Sequence, residues 1–161
     1  ASATKSSEPA SAAEGQPLRD GRARRGSRLT LYVDSSAVLK RYLDERDVRV
    51  AVDLMASDPV LATSTITEVE VRRNLARLLD GAELEKARRS FIEDLDAFAL
   101  IAVDATVCSE ASRIAEQTLC RSLDSIHVAS AARVGTGTTL LTFDLRRAQA
   151  ARSVGLSVVG V

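Results

Sequence analysis

From Leu29 onward, short aliphatic runs alternate with longer amphipathic stretches. This alternation predicts a parallel sheet covered by helices, because each parallel connection needs a crossover element. The predicted strands are 29–33, 60–62, 98–103, 139–143 and 157–159. The predicted helices are 35–42, 47–56, 66–79, 82–96, 105–120, 124–134 and 145–153. The continuous apolar run 98–103 is typical of a strand buried on both faces. We predict the α/β class, as a three-layer α/β/α fold around four to five short parallel strands.

The first 28 residues have a different composition from the rest of the chain. They are rich in Ala and Ser, and Leu18 is their only large aliphatic residue. Such a segment cannot bury enough apolar surface to offset the entropy of ordering. We therefore expect residues 1–28 to form a disordered or non-native tail and residues 29–161 to form one domain. The first residue is Ala1 and the first methionine is Met55, so a processed terminus, an upstream extension and a non-native tail all remain open.

The charges of the chain cancel only as a whole. It has 22 basic and 22 acidic residues, yet the tail has six basic and three acidic residues, which leaves 16 and 19 in the domain. Zero net charge argues against holding nucleic acid or membrane by bulk electrostatics. No apolar run approaches the roughly 18 residues of a membrane helix, and no signal peptide is evident, which predicts a cytoplasmic protein. Cys108 and Cys120 lack the spacing of a zinc site or a disulfide framework.

Two aspartates stand where predicted strands end. Asp34 follows the first strand, and Asp144 follows the fourth. In open α/β sheets, ligands bind at the carboxyl ends of the strands. The two carboxylates therefore converge if the two strands are neighbours, although an aspartate at a strand end is also an ordinary turn residue.

Two further acids lie on predicted helices. Glu68 and Glu70 are two residues apart and point to opposite sides of a helix, so only one can face a common site. Thr65 and Glu68 have the spacing of a capping box, which gives Glu68 a structural role and favours Glu70 for the site. Asp124 begins a helix rich in Ala and Ser that can pack close to the sheet, and its simpler interpretation is a first-turn acid.

Four carboxylates in one cleft would repel one another unless a cation neutralised them. A cluster of Asp34, Glu70, Asp124 and Asp144 therefore implies a hard divalent ion, Mg²⁺ or Mn²⁺, with oxygen ligands. The chemistry that suits such a site is phosphoryl transfer by metal-activated water. The spacing leaves open whether one or two ions bind.

These residues occur in ordered blocks that resemble the PIN-domain family, and particularly its VapC-type toxins. The blocks are Tyr-Val-Asp34-Ser-Ser, Thr-Glu-Val-Glu70-Val-Arg-Arg, Leu-Asp124-Ser-Ile-His and Leu-Leu-Thr142-Phe-Asp144-Leu-Arg-Arg. The resemblance implies that the four acids bind metal and catalyse, with Thr142 and Ser35 in support. It also implies a divalent-metal-dependent endoribonuclease that cleaves structured cellular RNA (tRNA, rRNA or mRNA), a cognate VapB-type antitoxin and a homodimer.

Basic residues near these blocks are candidates for RNA binding. They are Lys40, Arg41, Arg73, Arg77, Arg146 and Arg147, which we expect to form a rim that contacts phosphates. His127 is the only histidine; we expect a structural role, through a hydrogen bond to Asp124 or through burial. Tyr42 is expected to serve in packing or at a dimer interface.

Two alternatives remain from the sequence. One is a PIN-like module that binds RNA or protein without cleavage, and the other is a housekeeping RNA-processing nuclease. Nucleotide cradling is disfavoured because the chain has no phosphate-binding glycine loop ahead of a helix. A phosphatase that uses paired aspartates is disfavoured because no second aspartate follows two residues after Asp34.

Overall fold

The computed structural model describes residues 30–43, 47–58 and 60–161. The strands are β1 (Thr30–Val33), β2 (Leu61–Ser64), β3 (Ala99–Ile101), β4 (Thr138–Leu141) and β5 (Ser157–Val159). The helices are α1 (Ser35–Leu39), α2 (Val48–Ser57), α3 (Ile66–Leu78), α4 (Gly81–Leu95), α5 (Ala105–Thr118), α6 (Ser122–Val134) and α7 (Leu145–Ser153). None of the helices in these ranges combines the length and the apolar character needed to cross a bilayer. The predicted tail, 1–28, lies outside the described residues.

The five strands form one parallel sheet in the order β3-β2-β1-β4-β5. β1 is central, and its Tyr32 is in register with Ala62 of β2 and with Leu140 of β4. The predicted parallel sheet is confirmed. Because β1 and β4 are neighbours, the acids that follow them meet at one edge of the sheet.

Each face of the sheet is covered by its own apolar core, as the three-layer prediction requires. Alternate residues of β1 point to opposite faces: Leu31 and Val33 pack on one core, and Tyr32 packs on the other. Helices α1 to α4 contribute to the first core, and helices α5 to α7 contribute to the second. Phe91 and Ile114 are among the largest side chains buried in the two cores.

Two local predictions are wrong. The run 98–103 does not form a strand buried on both faces: β3 has three residues, and Leu100 is 49% exposed. β3 lies at the edge of the sheet, where helices do not cover both of its faces. Helix α1 ends at Leu39 instead of Tyr42, because the amides of residues 40–42 bond to carbonyls three residues earlier and close a turn.

Candidate active site

Asp34 and Asp144 lie side by side at the carboxyl ends of β1 and β4. The Asp34 amide donates to the carbonyl of Leu141, at 3.2 Å. Each aspartate also caps the helix that follows: Asp34 accepts from the Ala37 amide at 2.9 Å, and Asp144 accepts from the Arg146 amide at 2.9 Å. Both acids therefore cap a helix and also lie at the shared edge of the sheet, so the two interpretations of the sequence are not exclusive.

Thr142 joins these two aspartates. Its buried hydroxyl donates to Asp34 Oδ2 at 2.5 Å and accepts from the Asp144 amide at 3.1 Å. Ser36 donates to the other oxygen, Asp34 Oδ1, at 2.7 Å. The Asp34 carboxylate is fully buried and held from both sides. Thr142 thus orients an acid of the cleft, and we expect it to have the supporting role implied by the resemblance.

Helix α3 separates its two glutamates as predicted. Glu70 faces the cleft, whereas Glu68 pairs with Arg72 on the solvent side at 3.1 Å. The predicted capping box is wrong, because Thr65 makes no side-chain cap. Its amide donates to the Ile101 carbonyl at 3.0 Å and its hydroxyl accepts from the Val103 amide at 3.3 Å, so Thr65 ties the start of α3 to the end of β3.

His127 is fully buried and holds Glu70 instead of Asp124. Its Nε2 lies 2.5 Å from Glu70 Oε2, and its Nδ1 lies 2.9 Å from the Tyr32 hydroxyl. Because a carboxylate only accepts, Nε2 is the donor to Glu70, and the phenol can donate to Nδ1. Burial raises the pKa of Tyr32 far above its ordinary range, so the phenol stays protonated. Of the two predicted explanations for His127, burial is confirmed, whereas the hydrogen bond to Asp124 is replaced by bonds to Glu70 and Tyr32.

Asp124 is brought into the cleft by a helix that is buried on several sides. Helix α6 begins at Ser122, and its small Ala and Ser side chains let it pack closely between α5 and the sheet. Asp124 is 1% exposed and receives Arg121 Nε on Oδ2 at 2.8 Å. Arg121 also donates to Asp144 at 2.8 Å, so it bridges two of the four acids. Arg121 was not among the residues selected from the sequence, although Arg121 and Asp124 have the spacing of a helical ion pair.

Arg147 corrects the prediction of a basic rim. Its guanidinium lies in the middle of the acids, where it donates to Asp34 at 2.5 Å and to Asp124 at 3.1 Å. It also pairs with Glu70 at 3.8 Å. A residue that is only 4% exposed cannot form part of an outer rim.

Three of the four acids line a cleft of about 540 Å³: Glu70, Asp124 and Asp144. Ser35, Asn74 and Arg77 line it beside them, whereas Asp34 is fully buried and is joined to Glu70 and Asp124 through Arg147. Arg77 is thus the predicted rim residue that lines the cleft with an exposed side chain, and Asn74 is a lining residue that was not selected from the sequence.

The other predicted rim residues lie elsewhere. Arg41 pairs with Asp94 at 3.3 Å and lines a separate cavity of about 640 Å³. Arg146 lines a third cavity, and Lys40 lies over the Phe143 ring. Arg73 is exposed on α3 and is not among the residues that line the cleft. Tyr42 has the predicted packing role, since it contacts the Phe91 ring and donates to Asp94 at 2.6 Å.

The cations and donors around Glu70 and Asp144 favour the ionised forms of these two acids. Burial raises the pKa of Glu70, but the hydrogen bond from His127 and the charge of Arg147 outweigh it and bring that pKa below its ordinary value. Burial also raises the pKa of Asp144, but two effects lower it by more. These are the hydrogen bonds from the amides of Arg147 and Arg146 and the charges of Arg147 and Arg121, which together bring that pKa below its ordinary value. Burial lowers the pKa of Arg147, yet the charges of Asp34, Glu70 and Asp124 raise it well above the ordinary arginine value. The cleft therefore holds acceptor oxygens, which suits a hard cation.

The donor set fits a divalent ion, but the arrangement in the structure is built around guanidinium groups. Among the described residues, no three carboxylate, imidazole or thiol groups form a ready coordination shell. The reason is visible at each oxygen, because Arg147 lies between Asp34, Asp124 and Glu70 while Arg121 lies between Asp124 and Asp144. A metal at this site would be held by the four acids that these arginines now contact, which are Asp34, Glu70, Asp124 and Asp144.

Glu70→Gln is expected to weaken the acid dependence of stability. The folded-state pKa of Glu70 lies below its ordinary 4.5, so below that pH the unfolded chain binds more protons than the folded one. The stabilisation from Glu70 is therefore complete above about pH 4.5 and is lost as the pH falls through the folded-state pKa. Urea unfolding should show the slope of unfolding free energy against pH in that acid range reduced by up to about 1.4 kcal/mol per pH unit.

The matched control is Glu68→Gln, which removes the exposed glutamate two residues away. A reduction of the slope in Glu68→Gln as large as that in Glu70→Gln would contradict a cause specific to the surroundings of Glu70. Equal slopes for Glu70→Gln and the wild type would contradict this assignment.

Comparisons with known proteins point to one family. Residues 31–153 match the PIN domain. The chain is 32% identical to Ribonuclease VapC46 of Mycobacterium tuberculosis over 130 residues, which is 80% of this chain and 95% of that protein. FitAcB of Neisseria gonorrhoeae has the same fold, with a TM-score of 0.65 and 21% identity over 81% of this chain and 96% of that one. VapBC-5 of M. tuberculosis, a member of the VapBC family of toxin–antitoxin systems, aligns with a TM-score of 0.60 and 16% identity over 83% and 99% of the two chains.

Proposed function

This chain belongs to the PIN-domain family, and we propose that its acidic cleft is the active centre of a divalent-metal-dependent endoribonuclease of the VapC toxin type. Ribonuclease VapC46, which is aligned over nearly its whole length, supports the reaction class. The acidic quartet, defined as Asp34, Glu70, Asp124 and Asp144, supports the assignment of the site.

One observation carries the proposal: four acids from four separate parts of the chain converge, three at the surface of one cleft and one directly behind it. Glu70 lies on α3, Asp124 lies on α6 and Asp144 follows β4, and all three line the cleft. Asp34 follows β1 and is joined to Glu70 and Asp124 through Arg147. Concentrating negative charge is unfavourable unless the site uses it. A cleft for phosphodiester cleavage needs such a charge to hold the cation that neutralises the substrate.

The quartet would hold Mg²⁺ or Mn²⁺. When bound, such an ion polarises the phosphate and activates water for attack on the phosphodiester. The neighbouring residues fix the ligands: Thr142 orients Asp34 through its hydroxyl, and His127 orients Glu70 through Nε2. Hydrogen bonds of this kind set the direction of ligand oxygens and tune their basicity. Arg77, exposed where it lines the cleft, is placed to contact a phosphate of the RNA.

Structured cellular RNA is the proposed substrate and a VapB-type antitoxin is the proposed partner. The likeness of the chain to VapC46 supports the first, and the toxin–antitoxin assembly of VapBC-5 supports the second. The cytoplasm is the proposed location. The homodimer implied by the family resemblance stays a prediction.

The experiment that tests the proposal compares two glutamates on one helix. Purified protein is incubated with structured RNA and Mg²⁺ or Mn²⁺, and cleavage products are resolved on gels. Glu70→Gln is expected to lower the cleavage rate about 100-fold, because the quartet loses one charged ligand. Chelation by EDTA should stop the wild-type reaction, and excess Mn²⁺ should restore it.

Glu68→Gln is the matched control, since it removes the same charge from the outward side of α3. Its cleavage rate should stay within about twofold of the wild-type rate. Cleavage that persists in EDTA, or an equal loss in both variants, would overturn the proposal. RNA binding without cleavage under every condition would favour the non-catalytic alternative.

A further inference from the structure

Among the described residues, Arg147 is the arginine that is buried among the four acids. Its Nη1 donates to Asp34, while its Nε and Nη2 lie 3.1 Å from Asp124 Oδ1. Nη2 also lies 3.8 Å from Glu70. Each of the three guanidinium nitrogens therefore faces a carboxylate of the quartet.

This geometry gives Arg147 a role that differs from phosphate binding. An arginine that binds RNA must present its guanidinium to solvent, whereas Arg147 is 4% exposed. The adjacent Arg146 has an exposed side chain, and only its main-chain amide contacts Asp144. On α7, Arg146 thus faces outward, whereas the side chain of Arg147 pairs with the acids.

The charges of the cluster are half balanced within the protein. Asp34, Glu70, Asp124 and Asp144 supply four negative charges when ionised. Arg147 and Arg121 supply two positive charges within ion-pair distance. A single divalent ion would neutralise the remainder. An ion that used the oxygens of Asp34, Glu70 and Asp124 would have to share them with Arg147 or displace it.

We propose that Arg147 is a resident counter-cation: it holds Asp34, Glu70 and Asp124 together without metal, and it competes with the metal for these three acids. The inference rests on the proposed metal-binding function. Arg147 is a positioning residue, because it acts through the carboxylates. Its planar fork suits this task, since it can contact several oxygens in fixed directions.

The test measures metal binding and folding without RNA. Mn²⁺ affinity is measured by the loss of the free-ion electron paramagnetic resonance signal, and Tm is measured in EDTA and in excess Mg²⁺. Arg147→Met should bind Mn²⁺ at least about tenfold more tightly, because a positive charge next to the ion is removed. In EDTA, its Tm should fall by roughly 10 °C, because buried carboxylates lose their partner. Excess Mg²⁺ should reverse most of that fall.

Arg146→Met is the matched control, with the same change one residue away. Its Mn²⁺ affinity and its Tm in EDTA should match those of the wild type. Unchanged Mn²⁺ affinity in Arg147→Met, or the same Tm in EDTA as Arg146→Met, would overturn the role of Arg147. If Arg147→Met does not fold, Arg147→Lys decides: the lysine keeps the charge but loses the fork, so Mn²⁺ should bind more tightly than to the wild type, and unchanged affinity would overturn the proposal.

Asp34→Asn separates this inference from the proposed function. If Asp34→Asn weakens Mn²⁺ binding while Arg147→Met leaves it unchanged, the metal site stands and the role of Arg147 is wrong. If neither the wild type nor Arg147→Met binds Mn²⁺, the proposed metal dependence fails, and the inference fails with it.

Discussion

Replacing Asp34 with asparagine is expected to lower the rate of RNA cleavage by at least about 100-fold, because the quartet loses its most deeply held carboxylate. Asp34 is fully buried and accepts bonds from Ser36, Ala37, Thr142 and Arg147. The amide oxygen of asparagine can still cap α1 through the Ala37 amide. Its amide nitrogen is a donor that faces the guanidinium of Arg147, and it cannot bind a cation. The variant therefore keeps the helix cap but lacks the carboxylate that the proposed metal-dependent cleavage requires.

The matched control is Asp104→Asn. Asp104 also precedes a helix and caps it, through the Val107 amide at 2.9 Å, but it pairs with Arg133 away from the cleft. Its variant should cleave within about twofold of the wild-type rate. Circular dichroism should show folded protein in both variants. Wild-type cleavage by Asp34→Asn would mean that the acidic quartet is not the active centre.

Replacing His127 with alanine is expected to lower the free energy of unfolding by about 3–5 kcal/mol. His127 is fully buried, so its removal leaves a cavity beneath the cleft. It also leaves the Tyr32 hydroxyl and the Glu70 carboxylate without their partner. Urea unfolding followed by circular dichroism measures the change.

Tyr32→Phe provides the graded comparison, because it removes one hydroxyl and keeps the ring. Its expected cost is about 1–2 kcal/mol, since Nδ1 of His127 loses a hydrogen bond without a cavity being formed. A smaller cost for His127→Ala than for Tyr32→Phe would contradict the connection from Tyr32 through His127 to Glu70.

Most of the fold could be predicted because it depends on local pattern. Helix α7 and strand β5 have the bounds expected from the sequence, and the other strands overlap their predicted ranges. The failure at β3 has a physical cause: an apolar run can be a strand, but its position in the sheet decides whether both faces are covered. Leu100 is exposed because β3 is an edge strand, and no property of the run itself records that.

The site was only partly predictable, for a related reason. The different positions of Glu70 and Glu68 could be predicted, because two residues that are two apart on a helix point to opposite sides and this geometry depends only on local sequence. The partners of these acids come from distant parts of the chain: Arg147 contacts Asp34, 113 positions away in the sequence, and His127 contacts Glu70 across 57 positions. The pattern beside Asp144 shows two adjacent arginines and cannot say which one turns inward. Thr65 likewise has the spacing of a capping box, but its amide and hydroxyl are taken by the end of β3.

The sequence by itself determined the alternation of strands and helices, the parallel sheet, and the four acids whose order resembles the PIN-domain family. Each of these can be read from spacing along the chain, because spacing gives the periodicity of the apolar residues and identifies the residue at each strand end. Only the tertiary structure decided that Arg147 lies among the acids and that His127 anchors Glu70 to Tyr32. Those contacts depend on the order of the strands and on the burial of α6. A buried charge without a partner is costly in free energy, so it pairs with whichever residue the fold brings beside it, however distant in sequence.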